Sequence, residues 1–146
     1  MVTKLRNSIR ILVVEPRAST RACVIELLRI LEQEEPGPNS GGSLAIKFFE
    51  ANDSNDAVGS FTKNHPDLLI INTAIDRSRG RTICETVRGL EGQRHTGIIF
   101  IDVEGDPQDD LAVECLEMGA DDFIDRNCTP AEVRARVKAV LRLKAM

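Results

Sequence analysis

The chain has no tryptophan, no tyrosine and few aromatic residues of any kind, 3% of 146 positions. It nevertheless carries 42% hydrophobic and 29% charged residues, the balance of a folded domain and not of a disordered segment. A strong charge of one sign is missing too: 19 basic against 23 acidic residues leave a formal charge of −4. That argues against nonspecific grip on nucleic acid or on an anionic membrane. The four cysteines, Cys23, Cys84, Cys115 and Cys128, form no C-x-x-C pair, so metal binding through them is not expected. Each stands in or beside an apolar pattern, and buried free thiols in a reducing compartment explain them. No apolar run is long enough to span a bilayer, and the start, MVTKLRNSIRILVVE, has no small-residue cleavage site. A cytoplasmic location follows as the expectation.

What is present is a set of short, continuous apolar runs. Ile11–Val14 (ILVV), Leu68–Ile71 (LLII) and Ile98–Ile101 (IIFI) have strand length and many β-branched residues, as parallel strands buried on both faces require. A weaker strand is expected over Leu44–Glu50 and a short one over Asp122–Asp125. Between them the period becomes helical, with Val24, Leu27, Leu28 and Leu31 on one face of the first helix. Ser54 is expected to cap a second helix reaching about Asn64, stopped by His65-Pro66. A third is expected over Thr82–Leu90, and a fourth from Pro107 to Met118 with Gly119 as its stop. The fifth has a capping box, Thr129, Pro130 and Glu132, and an inner stripe of Val133, Val137, Val140, Leu141 and Lys144.

Five alternations of strand and helix predict one domain over residues 1–146, of doubly wound α/β class. Residues 32–43, with two prolines and three glycines, are expected to be a flexible surface loop. In open α/β sheets, reactive groups collect beyond the carboxyl ends of the strands. Those ends are polar here: Glu15, Asn72, Asp102, and Asp125 with Arg126.

This pattern resembles the receiver domain of bacterial two-component response regulators, over essentially the whole chain. ILVVE is similar to the family's first strand and acidic pair, PDLLIIN to the strand bearing the phosphoacceptor aspartate, GADDFIDR to the element before the last helix, and AEVRARVKAVLR to that helix. The resemblance implies a flavodoxin-like sheet of order 2-1-3-4-5 and a part in phosphorelay signalling. It also exposes departures. The phosphoacceptor position falls on Asn72, the acidic pair on Glu15 and Pro16, the hydroxyl position on Asp102 and the lysine position on Arg126. Phe123 keeps the aromatic switch character.

An amide oxygen has no formal charge and forms no acyl phosphate, and Pro16 offers a metal no ligand atom. Magnesium is therefore expected to bind weakly or not at all. An Asp102–Arg126 or Glu15–Arg126 bridge is expected to organise the crevice instead. The resulting expectation is a pseudo-receiver that works by contact with a protein partner: an effector domain, a kinase or another regulator. The family's dimer face uses the fourth helix, fifth strand and fifth helix. Acidic residues there (Asp109, Asp110, Glu114, Glu117, Asp121) oppose basic ones (Arg134, Arg136, Lys138, Arg142), which could drive a homodimer; two solvated helix faces are an equal expectation. Alternatives are phosphorylation at Asp76 or Asp102, or an anion or small-molecule sensor using the arginines of residues 76–81. An independent enzyme is not expected, since the crevice has no cysteine or histidine nucleophile with a base, and His65 and His95 precede strands at the opposite end. The last helix has no glycine or proline stop and is expected to continue in a longer protein.

Overall fold

Each apolar run becomes the middle of a strand in the computed structural model, which describes residues 8–33, 44–90, 92, 95–103 and 110–145. The strands are β1 (Ser8–Val14), β2 (Ala45–Ala51), β3 (Leu68–Asn72), β4 (Gly97–Ile101) and β5 (Asp122–Ile124). They form one parallel sheet of order β2-β1-β3-β4-β5, as the resemblance implies. Every residue of β3 and β4 is buried, because helices cover both faces.

The helices are α1 (Ala18–Leu28), α2 (Ser54–Asn64), α3 (Arg77–Leu90), α4 (Leu111–Glu117) and α5 (Pro130–Lys144). Alternation along the strands divides the core in two. Leu12, Leu69 and Ile71 face Phe61 of α2, Ile83 of α3 and Cys115 of α4. Ile11, Leu68 and Ile70 face Val24 of α1 and Val133 and Val137 of α5.

Several local expectations are corrected. The first helix passes into a 3-10 turn at Arg29–Glu32, which still buries Leu31 and includes the first residue of the expected flexible loop; residues 34–43 lie outside the described residues. Asp53, not Ser54, caps α2: its carboxylate accepts the Asp56 amide at 2.7 Å, leaving Ser54 as the first helical residue. The stop at His65 is a left-handed residue, φ 48°, immediately before Pro66. The third helix begins at Arg77, well before Thr82, because Asp76 caps it by accepting the Ser78 hydroxyl at 2.7 Å and the Arg79 amide at 2.9 Å. The expected start of the fourth helix, Pro107, lies outside the described residues, while Gly119 adopts φ +112° just after its end. The expected cap of α5 is present, the Glu132 amide donating to Thr129 Oγ1 at 3.2 Å. Cys84 and Cys115 are buried, but Cys23 is exposed, since it stands on the outer side of α1 next to the buried Val24.

Candidate functional site

Strand pairing carries three polar residues into one place. The Glu15 amide donates to the Ala51 carbonyl at 3.0 Å, Thr73 N–H to Ile101 O at 2.9 Å, and Asp102 N–H to Ile124 O at 2.9 Å, so each strand end is fixed by its neighbour. Glu15, Asn72 and Asp102 are all buried, at 0%, 2% and 5% exposure. A carboxylate so deep must be compensated.

Glu15 is compensated on both oxygens. Asn72 Nδ2 donates to Oε2 at 2.8 Å. A carboxylate oxygen only accepts, so this contact fixes the orientation of the amide. Arg17 Nε lies 3.0 Å from Oε1, and the Arg17 backbone N–H also donates to Oε1 at 3.2 Å. One turn into α1, Arg21 Nη1 donates to the Glu15 carbonyl at 2.7 Å while its Nε pairs with Glu50 of β2 at 3.0 Å. Asp102 accepts the Thr73 hydroxyl at 3.2 Å.

The expected bridge to Arg126 is therefore corrected. Arg126 is exposed in the turn after β5, and among the described residues Glu15 takes Arg17 as its charge partner. The sequence pointer to Arg17 was its place two residues after Glu15, with a proline between them to fix the turn. Pro16 is exposed, and Phe123 on β5 is half-buried against the α2–α4 side of the core. Among the described residues no group of three or more His, Cys, Asp and Glu side chains could hold a metal ion.

The arginines expected at the crevice mouth lie in the first turns of α3. Arg77 pairs with Glu114 of α4 at 2.7 Å and Arg79 with Asp76 at 3.3 Å. The Asp76 carboxyl is held below its ordinary value, first by the Arg79 N–H and next by the Ser78 hydroxyl. Its two-sided capping role opposes its use as a substitute acceptor.

The expected interaction face is more divided than its charges suggest. Asp109 lies outside the described residues, and Asp110 stands exposed at the start of α4. Asp121 is not free for an intermolecular contact: it takes Arg88 at 2.9 Å and Lys144 at 2.9 Å inside the domain. Arg136 reaches Asp122 of β5 at 3.2 Å. At about 100° per residue, Arg134 and Lys138 fall roughly 200° round α5 from Arg136, on its other side. Arg142 and Glu117 are exposed. What sequence reasoning missed is an apolar component beside these charges: Val113 and Leu116 of α4 and Leu143 of α5 are exposed, at 51%, 46% and 59%.

The family model described as the response regulator receiver domain matches residues 42–138, more than half of the chain. The chain belongs to that family. Among curated proteins, this receiver domain is 31% identical over 133 residues to the phosphate regulon transcriptional regulatory protein PhoB of Escherichia coli, covering 91% of this chain and 52% of PhoB. It is 28% identical over 138 residues to the probable transcriptional regulator ycf27 of Galdieria sulphuraria, covering 94% of this chain and 47% of that protein. The chain thus spans about half the length of these relatives. Among solved structures, a putative response regulator from Chloroflexus aurantiacus superimposes with TM-score 0.69 at 23% identity, covering 92% of this chain and 98% of the other. A putative pilus assembly-related protein from Burkholderia pseudomallei does so with TM-score 0.71 at 16% identity, covering 100% and 98%. These likenesses establish the same fold. No helix among the described residues is long and apolar enough to cross a membrane.

Proposed function

We propose that this receiver domain works without accepting a phosphoryl group at residue 72, and that it passes its signal by binding a protein. The observation that carries this reading is the 2.8 Å hydrogen bond from the Asn72 amide to buried Glu15. An aspartate at 72 would have no proton to give there at neutral pH, so the amide is suited to holding Glu15 and not to attacking phosphorus. The donor set also fits magnesium poorly. Both oxygens of Glu15 are already engaged, Pro16 supplies no ligand atom, and the Asn72 amide turns its nitrogen toward the carboxylate.

The proposed contact surface is the α4–β5–α5 face. Exposed Val113, Leu116 and Leu143 supply apolar area, with Asp110 and Glu117 on one helix and Arg136 and Arg142 on the other to set the register. Its partner is an effector domain, a kinase or a second copy of this domain, met in the cytoplasm. The transcriptional regulators among the relatives favour a role within a longer regulator of that kind. Direct binding of nucleic acid by this domain is not part of the proposal, given its formal charge of −4.

The test is incubation with acetyl phosphate, and separately with beryllofluoride, in the presence of magnesium, read by intact mass and amide chemical shifts. The expected result is no added mass and no shifts centred on Glu15, Asn72 and Asp102. A response centred on those residues overturns the reading.

A further inference from the structure

We infer that Arg17 is the built-in cation of the crevice, a tethered guanidinium that meets the charge of Glu15 in place of a divalent ion. The inference rests on the reading above and names the residue that enforces it. Glu15 is fully buried, and its two oxygens are divided between two kinds of partner: Oε1 takes the Arg17 guanidinium at 3.0 Å and backbone N–H at 3.2 Å, and Oε2 takes the Asn72 amide at 2.8 Å. The charge of Glu15 is thus met by a residue of its own chain, two positions on.

The local backbone makes this contact easy to form. Pro16 fixes its own φ near −65° and gives up its N–H, so the first amide available to fold back on Glu15 is that of Arg17. Arg17 is the residue before the first turn of α1, with extended backbone (φ −94°, ψ 122°), and its side chain makes no capping bond to the helix. Arg21 holds the Glu15 carbonyl at 2.7 Å, so a second guanidinium keeps the peptide in place. Arg17 keeps half its side chain in solvent, which spares the guanidinium full desolvation while the carboxylate beneath is neutralised.

The consequence is a dependence between positions. Returning carboxylates to residues 16 and 72 would supply oxygens, but any divalent ion would still have to displace Arg17 from Oε1. Metal affinity should reappear only when the carboxylates are restored and Arg17 is removed.

The probe is Mn²⁺, titrated into the wild-type chain, the pair Pro16→Asp/Asn72→Asp, and that pair combined with either Arg17→Ala or Arg126→Ala, and read by paramagnetic broadening and calorimetry. The Arg17→Ala triple variant is expected to bind Mn²⁺ at least about tenfold more tightly than the pair, equivalent to about 1.4 kcal/mol. The Arg126→Ala triple variant is expected to change by less than about threefold, since Arg126 is exposed, where solvent and salt screen its charge, and the ion pair on Glu15 is made by Arg17. Equal affinities for the pair and the Arg17→Ala triple variant overturn the inference. So does an equal gain from Arg126→Ala, which would mark a general effect of net charge. The single variant Arg17→Ala gives a second measurement that needs no restored carboxylate. The side-chain amide resonances of Asn72 should move on this substitution, with smaller movement in Arg17→Lys. Unmoved resonances count against the clasp. Phosphorylation of the wild-type chain would overturn the proposed function, whereas the order of Mn²⁺ affinities tests Arg17 alone.

Discussion

Asn72→Asp restores the residue type at which the family accepts phosphate, yet here it should destabilise the domain. The substitution removes the N–H that meets Glu15 Oε2 at 2.8 Å and puts a second carboxylate against the first, both buried. Loss of a hydrogen bond to a charged group costs about 1.5–3 kcal/mol. Two like charges held about 4 Å apart repel by roughly 4 kcal/mol at an effective dielectric constant of about 20, before side-chain relaxation and proton uptake reduce it. Arg17, already on Oε1, offsets part of that repulsion. A net loss of about 2–4 kcal/mol at pH 7 is expected, or a fall in Tm of roughly 5–15 °C for a domain of this size. Protonation of either carboxyl relieves the repulsion, so the deficit is larger at neutral pH and shrinks in acid. Thermal and denaturant unfolding of Asn72→Asp and Asn72→Ala, at pH 7 and near pH 5 without divalent ions, checks this. A variant as stable as wild type at pH 7, or a deficit that does not shrink in acid, refutes the assignment of Asn72 as the donor that holds Glu15.

Gly97 opens β4 where a Cβ would lie 2.7 Å from Val140 Cγ1 and 2.9 Å from Leu68 Cδ1. Gly97→Ala should therefore cost about 1–3 kcal/mol in chemical denaturation, since Val140 has no freedom to swing aside. Asp76 has a folded pKa below its ordinary value of 3.8, so its contribution is complete above that value and lost as pH falls through the folded pKa. The Tm difference between wild type and Asp76→Asn should persist at pH 6 and fade only as pH falls below 3.8. Burial pushes the Cys84 and Cys115 thiols up to about 11. At pH 8 a disulfide reagent should label exposed Cys23 rapidly and these two only after unfolding; rapid labelling of three or more thiols in the native state would contradict their placement.

The sequence alone determined the class, the strand order through the family resemblance, and the strand ends at which Glu15, Asn72 and Asp102 stand. It did so because continuous apolar runs have only one use in a sheet covered on both faces, and the strand ends follow from where the runs stop. Helix ends were less legible. Asp53 and Asp76 displaced the expected starts because a carboxylate can accept from amides two or three residues ahead, and which acceptor wins depends on backbone angles that composition does not reveal. The choice of partner inside the crevice belonged to the tertiary structure. Arg126 and Arg17 both lie near strand ends in the sequence, and charge alone favoured neither. Proline at 16 and the start of α1 bring Arg17 back onto Glu15, while the turn after β5 leaves Arg126 in solvent. Asn72 gained its meaning in the same way: the sequence shows a missing nucleophile, and only the pairing of β1 with β3 shows the donor that a buried glutamate requires.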